Sequence, residues 1–232
     1  MNKIRILMVV AIIAIVLGGI IALNQYNINH PKPDIVSQAT MDRYQENEIK
    51  DYKGANLDPA IGPRDNSIKG VQYVDINSYR LKITGLVNTP KELTYEDVRQ
   101  LVAYERKITL HCVEGWDATI LWKGVLLKDV MDLAGIKTKA NTVIFHSVDG
   151  YTTSLPLDTI LSKELIMAYG ANGLDLPPQL GFPFIVVAED KLGYKWARWV
   201  SEIELSDDSS YLGYWEQRGY NNDATVVPKT NP

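Results

Sequence analysis

An α+β domain is what this sequence predicts, and three observations carry the prediction. Strand-like and helix-like segments follow one another without a regular strand–helix period, which argues against a doubly wound sheet. The chain is 46% hydrophobic and 22% charged, the balance of an ordinary folded domain with a sizeable core. No internal repeat or low-complexity tract interrupts it.

The first segment is of different material. Met1-Asn2-Lys3-Ile4-Arg5 leads into an uncharged apolar stretch from Ile6 to Leu23, long enough to cross a bilayer as a helix. Lys3 and Arg5 favour keeping the short end in the cytoplasm, and the bulky run Ile20-Ile21-Ala22-Leu23 disfavours signal cleavage. Residues 1–24 are therefore expected to be a transmembrane anchor at the cell membrane, with the remainder outside the cytoplasm. Residues 25–63, polar and broken by Pro31, Pro33, Pro59 and Pro63, read as a tether with few core contacts.

The domain is expected over 64–223, with a tail over 224–232. Tyr79 to Thr84 alternates at period two, as a half-buried strand does, and Thr94-Tyr95-Glu96-Asp97-Val98 starts a short helix with an acidic first turn. Lys107 to Leu110 is a strand. Trp122-Lys123-Gly124-Val125 reads as a turn into a helix from Leu126 to Ala134, stopped by Gly135. Thr142 to Ser147 and Tyr151 to Leu155 are strands, Leu157 to Leu165 is a short helix, and Phe184 to Ala188 and Trp196 to Leu205 close the pattern as strands.

A net charge of −4 leaves no broad cationic surface, so nucleic acid is not an expected partner. Cys112 is the single cysteine and has no thiol to bridge. It must be a ligand, a nucleophile or a buried apolar residue, and an exported free thiol is a liability unless something occupies it. His111 is a poor base for it, because neighbours on a strand point to opposite faces, and His146 has no nucleophile motif around it.

The runs HCVEGWDATILWKGVLLKDVM (His111 to Met131), GYTTSLPLD (Gly150 to Asp158), LPPQLGFPF (Leu176 to Phe184), GYKWARWVSEIEL (Gly193 to Leu205) and GYWEQRGY (Gly213 to Tyr220) occur in an order that resembles the molybdenum-cofactor domain of the sulfite oxidase superfamily. Cys-Val-Glu-x-Trp is closest in form to the branch of periplasmic methionine-sulfoxide reductase catalytic subunits. The resemblance implies mixed sheets with short helices and a bound molybdenum–molybdopterin cofactor. It makes Cys112 the protein's thiolate ligand to the metal.

The same resemblance assigns Ser147, Lys195, Trp196, Ala197 and Arg198 to holding the cofactor, with Arg198 the phosphate partner because a guanidinium binds two oxygens at once and Lys195 adds a point charge. Arg64 and Asn66 correspond loosely to residues that enclose the metal. Tyr220 corresponds to a tyrosine facing the exchangeable oxygen, where a phenol can donate a hydrogen bond or proton. Glu114 is a candidate for orienting the site.

Two departures from the family pattern bear on chemistry. Leu180 and Ile185 stand where relatives place polar cofactor contacts. Gly115 and Trp116 stand where sulfite oxidases carry arginines, so a neutral small substrate such as a sulfoxide suits this mouth better than a doubly charged anion. The expected function is membrane-anchored, two-electron oxygen-atom transfer; a tethered binding module without metal, sulfite-type oxidation and a cysteine hydrolase are the alternatives. With no cysteines for an iron–sulfur cluster and no Cys-x-x-Cys-His, electrons are expected to pass to or from a membrane cytochrome or soluble carrier. A monomer is expected.

Overall fold

The computed structural model describes residues 38–61 and 66–227, so the anchor expected over 1–24 lies outside the described residues. Among the described residues no helix is long and apolar enough to cross a membrane. The chain divides at residue 40, and Met41 to Pro232 forms one compact unit. Part of the stretch expected to be a tether carries regular structure. A helix, Gln38–Asn47, and a small hairpin of β1 (Asp51–Tyr52) and β2 (Ala55–Asn56) occupy it. Glu48, Ala60 and Ile61 are buried there.

Two five-stranded sheets build the rest. The first joins β5 (Ala103–His111), β6 (Asp117–Leu126), β9 (Ile166–Ala171), β10 (Leu174–Asp175) and β11 (Ile185–Val187), all antiparallel, with β9 pairing β6, β10 and β11. The second runs in the order β4 (Lys91–Leu93), β3 (Leu81–Gly85), β12 (Val200–Ser206), β7 (Thr142–Ser147), β8 (Thr152–Pro156). Its β3 and β12 pair in parallel, and the other pairs are antiparallel. Short helices Tyr95–Arg99, Leu127–Asp132 and Leu157–Ser162 connect the strands. This is the predicted α+β class of mixed sheets with short helices.

Local chemistry explains most boundaries. Thr94 accepts the Asp97 amide through Oγ1 while the Asp97 carboxylate accepts the Thr94 amide at 2.8 Å, a reciprocal cap that fixes the helix start. In β3, Leu81 and Ile83 are fully buried and Lys82 is exposed, the alternation read from the sequence. The predicted turn at Trp122–Val125 is instead the interior of β6. Gly124 is there because the strand passes so close to β9 that a Cβ would lie 2.2 Å from the Met167 carbonyl oxygen. The predicted helices shorten to Leu127–Asp132 and Leu157–Ser162: Leu126 pairs with Ile166 as the end of β6, and Glu164 at φ +50° leaves the helical course before β9 begins. Trp122 is wholly buried, its ring 5.5 Å from that of Trp196 and its indole N–H donated to the Ile108 carbonyl. Burying a large apolar side chain of this kind contributes roughly 1.5–3 kcal/mol.

Candidate active site

Strands β5 and β6 form a long hairpin whose last pair is His111 and Asp117. The turn beyond it is held by local bonds: the Cys112 amide donates to the Trp116 carbonyl at 2.9 Å, and the Gly115 amide to the Cys112 carbonyl at 3.0 Å. Gly115 sits at φ +89°, in the region a side chain disfavours. His111 Nδ1 and Asp117 Oδ1 lie 2.7 Å apart across the neck, and Trp116 donates its indole N–H to Glu114 at 3.1 Å. The outcome is a rigid tip presenting a half-buried thiol, to which the Asn66 amide donates at 3.5 Å. Burial pushes the Cys112 thiol above its ordinary value; the Glu114 amide works against that shift and the Glu114 carboxylate with it.

Cys112 opens into a cavity of about 350 Å³. The hairpin tip, Asn66–Ile68, Asp149 and Tyr151, Leu180 and Ile185, the 193–199 segment, and Trp215 with Tyr220 supply its walls. Aromatic rings make up much of the wall: Tyr220 lies 5.3 Å from Tyr194 and 5.2 Å from Trp215, ring to ring. Burial, then the Glu216 carboxylate, raises the Tyr194 phenol to about 12, and burial raises Tyr151 further. Among the described lining residues Arg198 is the one cation, against the carboxylates Glu114 and Asp149. Its guanidinium donates to the Gln179 carbonyl at 2.8 Å and stacks 4.6 Å over the Trp199 ring.

Of the residues that the sequence points to, Cys112, Asn66, Trp196, Arg198 and Tyr220 meet in this one cavity. Arg64 lies outside the described residues. Ala197 is buried, and its amide and carbonyl are both taken, by Lys195 and Val186. Ser147 is buried next to Val148 and Asp149 and offers a hydroxyl with no hydrogen-bond partner among the described residues. The point charge that Lys195 is expected to add at the phosphate is not found there, since Lys195 does not line the cavity. Its ammonium is fully buried, bonded to Glu216 at 2.5 Å, Asn222 at 2.7 Å and the Ser154 carbonyl at 3.1 Å, so its donors are used away from the cavity. His146 pairs with Glu204 at 2.8 Å and His111 with Asp117, so neither is directed at Cys112. Sequence reasoning misses Asp149, Tyr151, Tyr194, Trp199 and Trp215. All but Asp149 lie inside the family-like runs, which is the signal that could have found them.

These groups suit a pterin with a metal and a phosphate. A thiol at the edge of a cavity offers a soft ligand. Flat aromatic walls suit a planar ring, and a bidentate cation suits a phosphate. Ser147 Oγ and Gln179 Oε1 have no partner among the described residues, yet neither residue lines the cavity, so the fit rests on the thiol, the aromatic walls and Arg198. Leu180 and Ile185, where the resemblance leads to an expectation of polar contacts, both stand in the wall as apolar side chains.

Fold and site define a molybdenum-cofactor oxidoreductase domain of the sulfite oxidase type. The chain belongs to the oxidoreductase molybdopterin binding domain family, whose profile matches residues 68–215. It is 38% identical over 149 residues to the uncharacterized oxidoreductase YuiH of Bacillus subtilis, covering 64% of this chain and 75% of that one. It is 35% identical over 153 residues to a protein of Azospira oryzae named as a candidate protein-methionine-sulfoxide reductase subunit, YedZ1, covering 65% of this chain and 57% of that one. Against sulfite oxidase of Arabidopsis thaliana identity is 30% over 181 residues, covering 62% and 46%. The chain thus spans about half the length of the latter two relatives. In structure it resembles the sulfane dehydrogenase SoxCD of Paracoccus pantotrophus, with a TM-score of 0.58 at 22% identity over 60% of this chain and 41% of that one, a likeness of fold.

Proposed function

We propose that this oxidoreductase transfers an oxygen atom to or from a small neutral substrate such as a sulfoxide. The observation carrying the reading is the composition of the Cys112 cavity: aromatic walls and two carboxylates set against one described cation. A dianion such as sulfite would have to shed its water there with little compensation, whereas a sulfoxide needs one hydrogen-bond donor and apolar contact. Similarity to the Azospira protein supports the same substrate class.

When bound, the molybdenum cofactor supplies the two-electron redox chemistry. Cys112 would hold the metal through its thiolate, with Asn66 donating to the sulfur; Arg198 would hold the phosphate, and Trp196 and Ser147 would flank the pterin. Trp116, Tyr194 and Trp215 exclude water and orient the substrate's apolar part. Tyr220 donates a hydrogen bond to the oxygen being transferred as charge develops on it. We propose further that the apolar stretch Ile6 to Leu23 tethers the domain outside the cytoplasm, where a cytochrome or soluble carrier exchanges electrons with it.

Cys112→Ser tests the assignment. Produced with cofactor supply, the wild type should carry close to one molybdenum per chain and reduce methionine sulfoxide with a viologen donor; the variant should melt like the wild type and lose both. A variant retaining metal and turnover, or a wild type without metal, would refute it. A wild type with a higher kcat/KM for sulfite than for sulfoxides would refute the substrate class alone.

A further inference from the structure

Two of the cavity's lining residues, Trp215 and Tyr220, sit on one short segment that is not part of either sheet. A single 3₁₀ turn, Glu216–Arg218, and Gly219 at φ +94° shape it. A segment with so little regular structure needs an external hold to present a phenol in a fixed place.

That hold lies behind it. Lys195, immediately after the cavity residue Tyr194, sends its ammonium into the interior. There it donates to Glu216 at 2.5 Å and to Asn222 at 2.7 Å, one at each end of the stretch carrying Tyr220. The third donor goes to the Ser154 carbonyl on β8, and Thr153 of the same strand donates to Glu216 at 2.7 Å. One buried cation thus clamps both ends of the cover to a sheet strand. Both side chains of the pair have no exposed surface, and the second Glu216 oxygen has no partner among the described residues.

A buried ion pair is a poor source of net stability, since desolvation of both charges offsets most of their attraction. What it does supply is direction: each bond fixes an atom of the segment against an atom of the core. Tyr194 adds to the hold through its hydroxyl, which donates to the Asn221 carbonyl at 2.6 Å, and through its ring against Tyr220.

We propose that Lys195 and Glu216 are positioning residues that clamp the 216–222 segment and so set the Tyr220 hydroxyl over the Cys112 cavity. Neither touches substrate or cofactor; they act through Tyr220. The activity part of the test rests on the sulfoxide reading above, whereas the structural part does not. Arg218 is exposed within the clamped segment, so trypsin cleavage after it in the native full chain reports how often the cover opens.

In Lys195→Met/Glu216→Leu, whose apolar pair should preserve the fold, cleavage after Arg218 is expected at least tenfold faster, with the melting midpoint within a few degrees of wild type. In the same variant kcat for methionine sulfoxide should fall at least tenfold while KM changes less than threefold. Asn222→Ala, which releases one end and leaves the ion pair intact, should accelerate cleavage by a smaller factor and serves if the double variant does not fold. Cleavage within twofold of wild type in the folded variants would overturn the clamp, and faster cleavage with an unchanged kcat would overturn its link to Tyr220. A wild type inactive on sulfoxides would remove the substrate reading and leave the cleavage rates to decide.

Discussion

Gly181→Ala separates the backbone requirement of the cavity wall from its chemical one. Gly181 follows the 3₁₀ turn Pro178–Leu180 at φ +115°, ψ 26°, a conformation beyond the left-handed region that L side chains occasionally visit. Forcing alanine there costs about 1–3 kcal/mol, offset by about 0.4–1 kcal/mol from the stiffer unfolded chain. The net loss of about 1–2 kcal/mol corresponds to a melting midpoint lower by roughly 2–8 °C for a domain of this size. The new methyl would also lie 3.0 Å from Arg198 Cβ and 3.1 Å from Cγ, so that side chain must give way. A charge-assisted hydrogen bond is worth about 1.5–3 kcal/mol, and losing part of its alignment should weaken cofactor retention by about fivefold or more. Gly70→Ala, at φ +78° with nothing within 4 Å of the added carbon, carries strain without the contact. Thermal melts and molybdenum per chain after dialysis measure the two effects. If Gly181→Ala and Gly70→Ala retain metal equally, Arg198 does not grip the phosphate; if Gly181→Ala melts with the wild type, the strain argument fails.

Asn172→Ala should destabilise by at least about 3 kcal/mol in urea unfolding. The buried Asn172 amide accepts the Leu121 amide at 3.0 Å and donates to Glu48 at 3.1 Å and to the Asp58 carbonyl at 2.8 Å, and each stranded partner costs about 1–3 kcal/mol. Alkaline titration should show the burial of the tyrosines. Burial raises the Tyr95 and Tyr194 phenols from 10 to about 12, so the stability they contribute is fully present below pH 10 and is lost as pH rises towards 12. Melts from pH 8 to 12 should fall only above pH 10, with tyrosinate absorbance appearing late; an early, unshifted tyrosinate signal from all tyrosines would contradict that.

Strands with one wet face are readable because the pattern is local: Leu81 and Ile83 alternate with exposed neighbours. Strand β9, Ile-Met-Ala-Tyr-Gly-Ala, is buried at every position, so no period marks it and in sequence it passes unnoticed behind the preceding helix. Gly124 reads as a breaker in sequence, yet it serves a close approach between two backbones, which only the pairing of β6 with β9 reveals. At the site, Cys112, Arg198 and Tyr220 are legible because recognisable motifs carry them. Lys195 is misread because sequence displays a charge and not what it faces. Its partner Glu216 lies 21 positions later, and nothing local announces the pairing.

The order in which the ribosome delivers these walls has a bearing on when the pterin can be taken up. The cavity draws on Asn66, then the Cys112 tip, then Arg198, and last on Trp215 and Tyr220. A nascent chain extended only through β12 lacks the walls that Trp215 and Tyr220 supply. Stable loading is therefore expected only once residues 215–220 have been made and have joined the fold.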